Sequence, residues 1–172
     1  MSKLDFIKPE SLSEALEILS DYRDRAVITA GATDLMVEMR AGKFNPKVEF
    51  LVDISSLDDM SFIREDDSLI RIGAATTHAN LAESSIVQQY APFLCKASGS
   101  VGSPQTRNRG TVGGNVITAA QCADTIPPLL VLDAVLVFEN SAGSREISLE
   151  SFCSAGDEDG SIQPDEILSE IY

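Results

Sequence analysis

The residues of this chain best placed to do chemistry are small ones. Arg109-Gly110-Thr111-Val112-Gly113-Gly114-Asn115 sets adjacent glycines between Thr and Asn. Several backbone N–H groups can converge there on one point without Cβ obstruction. Such a nest binds phosphate, although Gly-Gly is equally the composition of an ordinary turn. A second small-residue junction, Gly31-Ala32-Thr33-Asp34, follows the β-branched run Ala26-Val27-Ile28-Thr29-Ala30 and precedes a helical stretch. Thr33 or Asp34 is suited to cap that helix, whose N-terminus carries partial positive charge favourable to phosphate. A plain strand-to-helix connection is the alternative. Neither stretch is a known nucleotide fingerprint: Gly-x-Gly-x-x-Gly is absent, and no Gly-Lys-Ser/Thr follows a glycine loop.

Other chemistries find little support. The chain has three cysteines, Cys95, Cys122 and Cys153, with no Cys-x-x-Cys pair, and a single histidine, His78. A structural zinc site or a cysteine-ligated cluster is not expected from that set, and buried reduced thiols are. With one imidazole, a protease-type triad is hard to build. His78 follows Thr77, a helix cap, and no nucleophile or carboxylate stands near it in sequence; a structural or surface histidine is expected. The net charge of −14 repels nucleic acid and anionic membranes, so neither is an expected partner. A phosphate site must therefore work through local backbone dipoles, with Arg107 and Arg109 as possible helpers. No apolar run approaches the roughly 20 residues of a membrane span. The N-terminus lacks the apolar stretch of a signal peptide, so a cytoplasmic address is expected.

These junctions need strands and helices to hold them. Leu4 to Lys8 reads as a short strand, and Ser11-Leu12-Ser13-Glu14 as a capping box opening a helix with Leu12, Ala15, Leu16 and Leu19 on one stripe. The run 26–30 is a buried strand, Leu35 to Ala41 a helix ending at Gly42, and Glu49 to Ile54 a third strand. Together they form a βαβαβ unit able to pack as a three-stranded layer. Ser55 to Met60 looks like a joint. Phe62-Ile63-Arg64 and Leu69 to Ala74 flank Asp66-Asp67-Ser68 as a hairpin. Helices are expected after Thr77 and from Pro92. Gly102 to Asn115 is expected to be a long functional loop. Asp124 opens a helix holding Pro127-Pro128, Ala134 to Glu139 is a strand, Ala155 to Gly160 is an acidic loop, and an apolar segment runs to Tyr172.

Ala30-Gly31-Ala32-Thr33-Asp34-Leu35, Leu69-Ile70-Arg71-Ile72-Gly73-Ala74, Gly102-Ser103-Pro104-Gln105-Thr106-Arg107-Asn108, Gly110-Thr111-Val112-Gly113-Gly114-Asn115 and Ala123-Asp124 occur in this order. In order and spacing the chain resembles the FAD-binding subunit or domain of the molybdenum hydroxylases. That family includes xanthine dehydrogenases, the medium subunit of carbon monoxide dehydrogenase, and related aldehyde, nicotinate and purine hydroxylases. The resemblance implies an α+β chain of PCMH-type FAD-binding fold with two α/β lobes. Residues 1–55 would be a small βαβαβ lobe, and 56–172 a larger lobe of mixed, antiparallel sheet with helices. The family's C-terminal domain, on the order of 100 residues, is expected to be missing beyond Tyr172.

By the same resemblance the cofactor is FAD, lying between the lobes. Ile28, Thr29, Ala30, Gly31, Ala32, Thr33, Asp34 and Leu35 would hold one side of its pyrophosphate and ribityl chain. Thr111, Val112, Gly113, Gly114 and Asn115 would hold the other through backbone N–H groups and the Thr hydroxyl. Val101 would join them, Asp124 would contact the nucleotide portion, and Ile167 would flank the flavin. The family usually carries two glycines in the first junction where this chain has Gly31 and Ala32; if the second position needs φ > 0, alanine costs about 1 kcal/mol. Relatives have a Gly-rich, basic loop where this chain has Gly156-Asp157-Glu158-Asp159-Gly160.

The activity implied is that of an oxidoreductase subunit in an electron relay. A molybdopterin-binding large subunit oxidises the substrate, a small subunit with iron–sulfur (2Fe–2S) clusters passes electrons on, and FAD delivers them to NAD⁺ or another acceptor. No residue of this chain is expected to be a catalytic acid or base, and no metal is expected on it. Two alternatives stand beside this expectation: a non-catalytic scaffold subunit that has lost flavin, and a separate flavoenzyme acting without partners.

Overall fold

The computed structural model describes residues 4–119, 123–154 and 162–172. Two sheets organise it. The first is wholly parallel, built from β1 (Asp5–Ile7), β2 (Ala26–Thr29) and β3 (Phe50–Asp53) in the order β1-β3-β2. Parallel neighbours need crossovers, supplied by α1 (Leu12–Tyr22) and α2 (Thr33–Arg40). Ser11 caps α1 as expected, its Oγ accepting the Glu14 N–H at 3.2 Å, but the return bond differs: Glu14 reaches past Ser11 and accepts the Glu10 N–H at 2.7 Å. Ala15, Leu16 and Leu19 are the buried stripe of α1.

The second sheet is antiparallel, with β4 (Ile63–Asp66), β5 (Leu69–Gly73), β6 (Val135–Asn140), β7 (Gly143–Ser148) and β8 (Ile167–Ile171) in the order β4-β5-β8-β6-β7. The terminal apolar segment is thus the central strand. β8 pairs Ile72 with Ile171 on one side and Leu136 with Ile171 on the other, and Ile167, Leu168 and Ile171 are buried. A run buried on both faces loses strict alternation, which is why its length gave no hint of its central place. Helices α3 (His78–Glu83), α4 (Ser85–Tyr90), α5 (Pro92–Ser100), α6 (Pro104–Arg107), α7 (Val112–Thr118), α8 (Ile126–Val131) and α9 (Leu149–Ser154) complete the chain. A shared core joins both sheets, including Leu16, Leu19 and Val52 with Ile72, Leu136, Phe138 and Ile171.

Several local expectations are corrected. The stretch 102–115 is not one long loop. Ser103 caps α6 through its Oγ, which accepts the Thr106 N–H at 3.2 Å, and Thr111 caps α7. Ser/Thr three residues before an amide makes an N-cap, so the polar residues read as loop are helix starts. Two further short helices, α4 and α9, carry too few apolar repeats to register as periodic. Helix α2 begins at Thr33, not Leu35, and α8 at Ile126, with Asp124 in the turn before it. Cys95 is buried but Cys153 is exposed, against the expectation of buried thiols. Cys122 and the acidic stretch Ala155 to Gly160 lie outside the described residues. Among the described residues, no helix is long and apolar enough to cross a membrane.

Candidate functional site

The two small-residue junctions, far apart in sequence, meet backbone to backbone. A Cβ placed on Gly31 would lie 2.0 Å from Arg109 O and 2.8 Å from Gly110 Cα. No side chain fits there, so glycine is required by close approach. The segment after β5 completes the contact. Thr77 bridges Thr111, and the His78 N–H donates to Gly110 O at 3.0 Å.

The first junction turns β2 into α2 within a few residues. Ala32 is the N-cap, at φ 58° and ψ 12°, and no side chain caps the helix. This corrects the expectation that Thr33 or Asp34 is the cap: the left-handed turn falls at Ala32, and Thr33 is already helical. The first helical hydrogen bond is made by Met36, whose N–H donates to Ala32 O at 3.1 Å. The amides of Thr33, Asp34 and Leu35 have no acceptor among the described residues. An uncapped N-terminus of this kind presents donors and a positive dipole end to a ligand.

The second junction behaves differently. The Val112 N–H donates to Thr76 O and the Gly113 N–H to Ala74 O, both at 2.9 Å. The Gly114 N–H donates to Thr111 Oγ1 at 3.1 Å, and the Asn115 N–H to Thr111 O at 3.0 Å. The expected nest of free amides is therefore corrected at 112–115: the strand extension 74–76 and the Thr111 cap engage these donors. What the glycines provide is proximity. A Cβ on Gly113 would meet Ala74 O at 2.6 Å, whereas one on Gly114 would meet Thr111 Oγ1 at 3.0 Å and nothing else nearby. Gly114 thus borders open space beyond the Thr111 hydroxyl.

That space is a cleft with two adjoining compartments. The narrower, about 460 Å³, is lined by Ile28 to Leu35 together with Val101, Thr111, Gly114 and Asn115. The wider, about 660 Å³, adds Gly113 and Ile167, and the two share Ile28, Ala30, Leu35, Thr111 and Gly114. Of the residues singled out in the sequence, Val112 is fully buried in the core and lines neither compartment. Asp124 lines neither, but its charge reaches His78 in the narrower one. Asn115 Oδ1 accepts from Thr125 Oγ1 at 2.5 Å, which ties the Asp124 turn to α7.

Two buried polar atoms in residues of the narrower compartment have no partner among the described residues: Thr29 Oγ1 and His78 Nδ1. Buried polar groups without partners are rare and unfavourable. Burial holds the His78 imidazole below its usual pKa, opposed by the nearby Asp124 and Asp34 carboxylates. The sequence set His78 aside as a structural or surface residue. Only the pairing of 76–78 with 110–112 makes it part of the wall, and no local pattern announces that pairing.

The wider compartment also has a fixed rim. Glu166, buried, takes both guanidinium arms of Arg145, Nε to Oε1 at 2.7 Å and Nη2 to Oε2 at 2.8 Å, while the Gln163 N–H donates to Oε2 at 3.0 Å. These bonds hold the Glu166 carboxyl below its usual range, the Arg145 hydrogen bond being the largest cause. They fix the segment that delivers Ile167. A separate apolar cavity of about 410 Å³, between Leu69, Tyr90, Leu94, Leu132 and Tyr172, lies apart from these junctions.

Known proteins resemble this chain over nearly its whole length. Residues 2–172 match the family described as "FAD binding domain in molybdopterin dehydrogenase". The nicotinate dehydrogenase FAD-subunit of Eubacterium barkeri is 34% identical over 177 residues, covering 99% of this chain and 58% of the relative. The xanthine dehydrogenase FAD-binding subunit of Escherichia coli O157:H7 is 36% identical over 159 residues, 92% of this chain and 53% of the relative. Among solved structures, carbon monoxide dehydrogenase from Hydrogenophaga pseudoflava superimposes with a TM-score of 0.90 at 30% identity, over 98% of this chain and 58% of that one. The chain therefore spans just over half the length of these relatives.

Proposed function

Because the chain belongs to the family of FAD-binding domains of molybdopterin dehydrogenases, we propose that it binds FAD in the cleft between its two sheets, as the flavin-carrying part of a molybdenum hydroxylase. One observation carries the placement: the uncapped N-terminus of α2 stands at a compartment where Thr29 Oγ1 and His78 Nδ1 are buried without partners among the described residues. Free amide donors and orphaned polar atoms suit a diphosphate. The residues present fit the cofactor. The diphosphate lies against Gly31 to Leu35, and Gly114 allows close approach from the far wall. Ile167 and the Arg145–Glu166 clasp border the wider compartment for the ring system.

Bound FAD supplies a redox centre able to pass electrons between one-electron and hydride chemistry. The chain's own residues bind and orient it, and none acts as an acid or base in that transfer. Residues 1–55 and 56–172 act as the two lobes of the cleft. The partners are a molybdopterin-binding large subunit and an iron–sulfur small subunit, with NAD⁺ or another acceptor taking the electrons. The names of the relatives, an FAD-subunit and an FAD-binding subunit, support a multi-subunit setting.

Ala32 favours a second reading, a scaffold subunit without flavin, since alanine at φ 58° strains the junction. One experiment separates the two. Purified chain incubated with FAD and desalted is expected to retain yellow flavin that is released on denaturation. A folded protein that stays colourless refutes FAD binding and supports the scaffold.

A further inference from the structure

The narrower compartment presents an electrostatic problem. Its lining contains Asp34 and Glu38 but no lysine or arginine, and the chain as a whole carries −14. A diphosphate entering there brings further negative charge into a site already bordered by carboxylates. Backbone amides relieve part of that repulsion. Among the described residues, His78 is the one side chain lining the compartment that can become a cation at ordinary pH.

Its surroundings single it out. The residue is 2% exposed, lies in the first turn of α3, and is pinned by its own N–H to Gly110 O. The ring sits against the junction, with Cδ2 3.2 Å from where a Cβ on Gly110 would be. Nδ1 has no hydrogen-bond partner among the described residues, unusual for a histidine kept only for structure. The charged groups facing it are Asp34 from α2 and Asp124 from the turn before α8. Arg107 on α6 turns its guanidinium to the carbonyls of Val101 and Gly102. Lys96 on α5 and Glu83 on α3 itself are exposed.

We infer that His78 is the cation that meets the FAD diphosphate, taking up a proton from solvent as the cofactor binds; this rests on the placement of FAD proposed above. In the free protein the buried imidazole is held neutral, its pKa lowered by burial. The incoming anion favours the imidazolium, so the bound-state pKa is raised. Between the two values one proton is taken up per FAD, and affinity falls by up to tenfold for each unit rise in pH.

The chain contains one histidine, so a single imidazole Cε1–H resonance reports its titration by NMR without assignment. That resonance is followed across pH 5 to 8 with and without saturating FAD, occupancy being read from flavin absorbance. The midpoint is expected below about 6.5 in the free protein and at least roughly one unit higher with FAD. Calorimetry near pH 6.5 in two buffers of different ionisation heat should give net proton uptake in the wild type and almost none in His78→Gln. Flavin bound with an unmoved or lowered midpoint, or uptake persisting in His78→Gln, overturns the inference while leaving the FAD site intact. No flavin bound at all overturns the FAD site and the inference together. The NMR measurement needs no variant and stands even if His78→Gln fails to fold.

Discussion

Ala32→Gly removes one methyl and is expected to stabilise the chain. Ala32 sits at φ 58° and ψ 12°, in the left-handed region. A non-glycine residue there costs about 1–2 kcal/mol, because Cβ crowds the neighbouring carbonyl oxygen. Glycine relieves that strain but frees the unfolded chain, an opposing term of about 0.4–1 kcal/mol. Glycine is also the better N-cap where no side-chain oxygen is offered. The net gain is about 0.5–1 kcal/mol, which for a protein of this size raises Tm by roughly 1–4 °C. The assay is thermal melting of the cofactor-free full chain, wild type against variant. Asp133→Gly serves as a second positive-φ site, at φ 53° and distant in sequence from the cleft. FAD titration of the same proteins should show equal or tighter binding for Ala32→Gly and no change for Asp133→Gly. A Tm for Ala32→Gly equal to or below the wild type refutes the account of strain at this junction.

Gly31→Ala, one residue earlier, should do the opposite. Its Cβ would meet Arg109 O at 2.0 Å, so the junctions must part, a destabilisation of about 1–3 kcal/mol and a Tm lower by roughly 3–9 °C; an unchanged Tm would show that the two backbones are not in contact. Gly114→Val should leave the chain folded by circular dichroism yet weaken FAD at least roughly tenfold, or about 1.4 kcal/mol, since its side chain would enter the cleft. Unchanged affinity in a flavin titration would move the site elsewhere. Arg145→Met strips the buried Glu166 of its cation. The folded pKa of Glu166 is depressed, so the pair contributes stability above the unfolded carboxyl value and loses it as pH falls through the folded one. Urea melts should therefore show a deficit of about 2 kcal/mol near neutral pH that shrinks below about pH 4. A deficit independent of pH would mean that the side chain acts only by packing.

Much of the fold was legible in local chemistry. The Ser11 cap, the leucine stripe of α1, the β-branched run of β2 and the hairpin of β4 and β5 are short-range patterns, and they form where the sequence places them. The differences cluster where a short-range pattern has two outcomes. Ser103 and Thr111 read as loop residues and are helix caps. Thr33 and Asp34 read as caps, but the left-handed turn at Ala32 carries the helix start past them. The final apolar segment gave no sign of being the centre of the second sheet, because pairing with β5 and β6 is written in residues far away.

The sequence alone determined that two junctions of small residues exist, that lysine loops do not, and that the family pattern joins them. Those are properties of residue type and spacing, which local sterics and propensity express directly. Tertiary structure decided what each junction offers. The amides of 112–115 are engaged by Ala74, Thr76 and Thr111, while those of Thr33 to Leu35 are left open. It also brought His78 into the cleft wall, burying its ring within reach of the Asp34 and Asp124 charges. A donor's availability depends on which carbonyl lies beside it, and a histidine's proton on which charges surround it. Both are set by segments brought together only when the chain folds.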